Sequence, residues 1–135
     1  MGQQQLLLII LGVIVVGVAV SVGLTMFEDH AIMANRDGVT SDLVNFASRA
    51  QMYYRRPASL AGGGNSFVGL TADAAGLAKL TSKSTNANGS YSIITAGTST
   101  SVVLKGIGTE KGTNGTVIDV RMSVFSDSMY VNQLN

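Results

Sequence analysis

The chain has no cysteine, no tryptophan, a single proline and a single histidine. Without cysteine there is no disulfide and no thiolate chemistry, so stability has to come from packing or from assembly. One histidine and scattered carboxylates give no metal-ligand spacing. Charge is sparse too: Asp, Glu, Lys and Arg make up 13 % of 135 residues, and the net charge is +1. A balance this close to zero provides no basic face for nucleic acid and no electrostatic draw toward an anionic membrane surface. No charged side chain precedes Glu28.

What fills that uncharged stretch is apolar. Leu6 to Phe27 is a run of 22 residues broken only by Ser21 and Thr25. As a helix it would rise about 33 Å, enough to cross a hydrocarbon core of about 30 Å. Ala19-Val20-Ser21 resembles a signal-peptide cleavage site. The basic n-region of a signal peptide is missing, however, and the run exceeds the usual h-region of about 7–15 residues. Met1-Gly2 opens a myristoylation motif, but Leu6 stands where the motif needs Ser or Thr. The run is therefore expected to be a retained helix.

Beyond Glu28 the pattern becomes amphipathic. Ile32, Val39, Leu43, Phe46, Ala50 and Tyr53 are spaced 7, 4, 3, 4 and 3, one apolar stripe of a 3.6-residue period. Gly38 is tolerated within it, at about 1 kcal/mol relative to alanine, as a point where the helix can kink. Arg55-Arg56-Pro57 ends it, because the residue before proline avoids the α region. One helix over 3–55 follows. Residues 57–89 read as a connecting region, with a flexible turn cluster at Gly62-Gly63-Gly64-Asn65 and a short helix over Thr71–Leu80 capped by Thr71. The last third switches to period two. In Thr116–Phe125, Ile118, Val120, Met122 and Val124 face one way while Asp119, Arg121 and Ser123 face the other. Tyr91–Thr95 and Ser101–Lys105 are shorter strands, Met129–Leu134 is a fourth, and Gly97-Thr98 and Gly106–Gly115 supply turns.

The expected architecture is α+β: a long N-terminal helix, apolar half then amphipathic half, packed on a small C-terminal antiparallel sheet of three or four strands. Its parts are an apolar half-helix over 1–27, an amphipathic half-helix over 28–56, a connecting region over 57–89 and the sheet over 90–135. A sheet this small needs the helix as its partner.

This arrangement resembles the bacterial type IV pilin and pseudopilin family, which joins an apolar half-helix at the mature N-terminus to an amphipathic half-helix packed on an antiparallel sheet. Three departures stand out. Gln5 occupies the place of the family's glutamate, which pairs with a neighbour's N-terminal amine, so only a neutral hydrogen bond is available there. Val22 stands where a proline is common, and the C-terminal cysteine pair of many pilins is missing. The family's leader is expected either to have been removed ahead of Met1 or to end at Gly2, leaving Gln3 first. The resemblance implies a structural subunit that waits in the inner membrane and is then transferred into a helical surface filament of identical subunits. A prepilin peptidase, an assembly ATPase and a platform protein would be its partners, and adhesion, motility or DNA uptake its task.

The glycines in the run either reflect how common Gly is in transmembrane helices or let helix backbones approach closely, as at Gly17-xxx-Ser21 and Ala19-xxx-Gly23; close packing is the expectation taken. The expected assembly surface contains Gly12, Gly17, Ser21 and Gly23 with Leu6, Ile9, Val13, Val16, Val20 and Leu24. Met1 and Gln5 lie at its start. The alternatives are a pseudopilin of a type II-like secretion system, a monomeric single-pass anchor carrying a small binding domain, and an archaeal pilin, whose β-rich head is usually larger.

No catalytic, cofactor or metal residue is assigned. His30 sits at the edge of the apolar run as an interfacial side chain. Gly64–Gly69 misses the G-x-S-x-G elbow by one residue, and Gly106-Ile107-Gly108 has neither the third glycine nor the helix of a dinucleotide loop. Asn88-Gly89-Ser90 and Asn114-Gly115-Thr116 fit the glycosylation pattern, but turn chemistry explains them better. Phe46, Tyr53 and Tyr54 read as core rather than as an electron path. An enzyme is not expected.

Overall fold

In the computed structural model, residues 2–134 are described. Helix α1 spans Gly2–Arg55 without interruption, within a residue of the expected bounds. It is followed by a 3-10 turn at Ala58–Leu60, α2 at Ala74–Ala78, and four strands: β1 Gly89–Thr95, β2 Ser101–Lys111, β3 Val117–Phe125 and β4 Met129–Gln133. The strands form one antiparallel sheet in the order β1-β2-β3-β4. The helix packs across β2 and β3, so the architecture is the α+β arrangement that the periodicities predict.

The core lies between the stripe and one sheet face. Val39, Leu43, Phe46, Ala47, Ala50 and Tyr53 are buried against Val102, Leu104, Ile118, Val120, Met122 and Val124, and Ile32 packs at the margin. Burying a side chain of this size stabilises by about 1.5–3 kcal/mol, which explains why the sheet-bearing half of the helix is amphipathic. Phe67, Leu70, Leu77 and Leu80 from the connecting region close the same core. The aromatics serve as packing: Phe46 meets Tyr91 edge-on at 4.9 Å, and Tyr54 leans on Phe67 at 4.8 Å.

Several local expectations are corrected. Gly106–Gly115 is not one turn, because β2 continues to Lys111 and the reversal is confined to residues 112–116. Gly106 and Gly108 face the helix. A Cβ at Gly106 would sit 2.6 Å from Val39 Cγ1, and one at Gly108 would sit 2.2 Å from Asn35 Oδ1. These two glycines permit close helix–sheet approach. The true turn uses Gly115, whose φ of +78° suits glycine.

Gly62–Asn65 is an ordered cap rather than a flexible cluster. The amides of Gly63, Asn65 and Gly64 donate to the carbonyls of Tyr53, Tyr54 and Arg56, satisfying groups that the helix end leaves open. The α2 helix is also shorter than Thr71–Leu80. Asp73, not Thr71, is its N-cap and accepts from the Gly76 amide at 2.9 Å, while the Thr71 hydroxyl donates to Asp73. The carboxylate is the stronger acceptor for an orphan amide. At the start of the sheet, Asn86–Gly89 forms a tight turn that bridges Thr85 to Ser90, so β1 begins at Gly89 rather than Tyr91.

Candidate functional site

Helix α1 has two environments along one uninterrupted backbone. From Val39 to Tyr53 one stripe, Val39, Leu43, Phe46, Ala47, Ala50 and Tyr53, is buried under the head, while Val44 and Met52 face outward. From Leu6 to Phe27 the apolar side chains are left exposed among the described residues. Leu6, Ile9, Val13, Val16, Val20 and Leu24 are 56–68 % exposed, and Gln5, Gly12, Gly17 and Ser21 are exposed with them; Gly23 is half-buried. Met1 lies outside the described residues. A Cβ at Gly12, Gly17 or Gly23 would meet nothing within 4 Å, so nothing in the chain itself requires glycine there. The one polar break near the end of the run is quiet, because the Thr25 hydroxyl donates to the Val22 carbonyl at 2.8 Å. The segment is long and apolar enough to cross a membrane, and none of its most apolar window is buried.

Polar side chains on the sheet-bearing half tie the head to the helix. Asn35 donates to the Asn88 carbonyl at 2.8 Å and accepts from the amides of Thr109 and Glu110 at 3.0 and 3.2 Å. Asp42 Oδ2 accepts from Asn86 Nδ2 at 2.8 Å, Asn88 Nδ2 at 2.9 Å and the Tyr91 hydroxyl at 2.5 Å. Burial alone would raise the pKa of Asp42, but the hydrogen bonds from Asn88, Tyr91 and Asn86 outweigh it and hold it below the ordinary carboxylate value. Burial and then the neighbouring Asp42 push the Tyr91 phenol well above its usual range, so it stays a donor. Arg49 reaches the Leu80 carbonyl at 2.9 Å, and Gln51 reaches the carbonyls of Phe125 and Ser128 at 3.0 and 3.3 Å. None of these roles is assigned from the sequence. The signal that carries part of them is the spacing of Asn35, Asp42 and Arg49, seven residues apart and therefore stacked beside the apolar stripe.

Between the foot of the sheet-bearing half and the β2–β3 hairpin runs an open groove of about 900 Å³, with Thr25, Phe27, Glu28, Asp29, Ala31 and Ile32 on one side and residues 109–113 and Gly115 on the other. A smaller groove of about 330 Å³ lies at the opposite end, beside Tyr54, Phe125 and Tyr130. On the outer face of the sheet, Asp119 meets Lys105 at 3.2 Å and Arg121 at 3.7 Å. Such a surface pair is worth at most about 1 kcal/mol. Among the described residues, no three His, Asp or Glu side chains converge as a metal site would require.

Among the described residues, the apolar half-helix is thus left uncovered while the head folds on itself. Compared with protein-family models, with curated proteins and with solved structures, the chain matches none.

Proposed function

We propose that the chain is a non-catalytic structural subunit of a type IV pilus-like filament, polymerising through residues 1–27. One observation carries this: a single 54-residue helix buries one half under a sheet and leaves the other half, apolar all round, wholly uncovered. Water is a poor environment for that surface, since each buried methylene is worth about 0.8 kcal/mol. Lipid would cover it first, and copies of the same helix afterwards. Because lipid and a helix bundle are equally apolar, the exchange depends on close packing and on hydrogen bonds. Gly12, Gly17 and Gly23 would provide the first, and the amides of Gln3, Gln4 and Gln5 the second.

In this scheme the precursor sits in the inner membrane and the product at the cell surface, with the sheet as the outer wall. A peptidase, an ATPase and a platform protein would process and drive it. Electron microscopy of material sheared from cells that produce the full chain tests the proposal. Long filaments built of this subunit are expected. Short stubs would point to a pseudopilin, and a monodisperse monomer in detergent with no filaments would leave a single-pass anchor.

A further inference from the structure

The groove beside the β2–β3 hairpin sits where the molecular surface changes character. The apolar run ends at Phe27, 76 % exposed, and Glu28 and Asp29 follow at once. Carboxylates are costly inside hydrocarbon, so the adjacent pair marks where the helix leaves it.

The sheet reaches this same level. Gln51 is hydrogen-bonded to the Phe125 end of the sheet and Asn35 to Thr109 and Glu110, so β2 runs down the helix toward its N-terminal half. From Thr109 the strand continues to Lys111 and the turn begins at Gly112, roughly 10 Å further at about 3.3 Å per residue. Measured along the helix at about 1.5 Å per residue, that distance leads from Asn35 to the neighbourhood of Glu28. The groove lining agrees, because the hairpin tip faces Thr25 to Ile32. Headgroups add about 5–8 Å to each side of the hydrocarbon core. If the core ends at Phe27, the tip lies within that layer.

Its chemistry suits the place. In the uncharged Gly112-Thr113-Asn114-Gly115-Thr116, the Thr116 hydroxyl and the amides of Gly112, Gly115 and Thr116 are used within the turn, which leaves the Thr113 hydroxyl as an outward donor, with the Lys111 ammonium and the Glu110 carboxylate beside it. Phosphate and ester oxygens are acceptors for both kinds of donor.

We infer that, while residues 6–27 span a bilayer, the tip of the β2–β3 hairpin seats in the phosphate layer of that same bilayer. This rests on the membrane-resident precursor proposed above. The head is then held to the membrane at two points, the helix and the hairpin, which fixes its tilt before assembly.

The absence of cysteine makes the test clean, because each introduced thiol is unique. Val16→Cys, Asn114→Cys, Thr113→Cys and Ser59→Cys are labelled with a fluorophore in the full chain and reconstituted in phosphatidylcholine vesicles. The vesicles carry a nitroxide either at the headgroup or at mid-chain. Ser59 lies beyond the far end of the helix, whose Arg55 is about 40 Å along the axis from Glu28. The Val16 probe should be quenched by the mid-chain nitroxide. The Asn114 and Thr113 probes should be quenched several-fold more than Ser59 by the headgroup nitroxide. Thr113 is the safeguard, because Asn114 Oδ1 holds the Thr116 amide and hydroxyl.

A deep Val16 with both tip probes no more quenched than Ser59 overturns the inference and leaves the spanning helix intact. An unquenched Val16 removes the spanning helix, and the inference with it. If the tip becomes shielded from a water-soluble quencher only as the protein-to-lipid ratio rises, a second copy fills the groove, and the inference is again overturned.

Discussion

Replacing Asp42 with alanine separates polar clasping from apolar packing in the attachment of the sheet to the helix. The carboxylate is the common acceptor for Asn86, Asn88 and Tyr91. Asn86 is exposed, and water can take over its amide. Asn88 is half-buried, and Tyr91 is 4 % exposed with its ring against Phe46. A second acceptor near the Tyr91 hydroxyl is Asn86 Oδ1, at 3.5 Å. A hydrogen bond to a charged group is worth about 1.5–3 kcal/mol, and a buried donor left unmet costs about 1–3 kcal/mol. Counting Tyr91 in full, Asn88 in part and Asn86 hardly at all, the loss should be about 2–4 kcal/mol. That is a large share of a typical stability of about 5–15 kcal/mol.

Urea unfolding of the full chain in detergent, followed by the near-ultraviolet circular dichroism of its tyrosines, reads the head rather than the detergent-held helix. Tyr91→Phe should cost about 1 kcal/mol, and the double variant should fall short of additivity by at least that much. Additivity to within about 0.5 kcal/mol would refute the clasp. Acid adds an independent check. The folded pKa of Asp42 is depressed below 3.8. Its contribution is therefore complete above the unfolded value and disappears as pH falls through the folded one. The wild type should lose, below about pH 4, a component of stability that Asp42→Asn never had.

Gly106→Ala should destabilise by about 1–3 kcal/mol in the same urea assay, because the new methyl would lie 2.6 Å from Val39 Cγ1 and 3.1 Å from the Tyr91 ring. An unchanged midpoint would mean that helix and sheet can separate freely. Gly17→Leu has open space in the chain. It should leave folding and membrane insertion alone while lowering filament yield in sheared fractions; equal yield would show that no neighbour packs there. Gln5→Leu should likewise reduce filament yield without affecting membrane extraction, and normal filaments would end any assembly role for that amide.

The helix, its covered stripe and the alternating strand at Val117–Phe125 were legible because each is a periodicity within the segment itself. Burial follows from period, and the structure buries the residues that the period selects. What stayed hidden depends on partners far along the chain. Gly106 and Gly108 look like turn residues because their reason, the closeness of Val39 and Asn35, lies about seventy residues earlier. Gly38 reads as a point for a kink for the same reason. Its Cβ would meet Asn88 Oδ1 at 2.9 Å, and the helix passes through it unbroken. The candidate surface is a different case. Its apolar character is plain in the sequence, but within the described residues it makes no contacts that would single out one residue over another.

The glycines of the helix divide along that line. Gly38 lies in the covered half, and a neighbouring side chain explains it. Gly12, Gly17 and Gly23 lie in the bare half, and among the described residues no atom comes close enough to exclude a methyl. In a water-exposed helix interior each costs about 1 kcal/mol relative to alanine. Glycine is, however, more frequent in membrane-spanning helices than in soluble ones, so the cost in water does not by itself name a partner. Under the proposed filament these glycines are the points where two helix backbones would approach most closely. Gly17→Leu separates the two cases, because a helix that meets only lipid should tolerate the larger side chain.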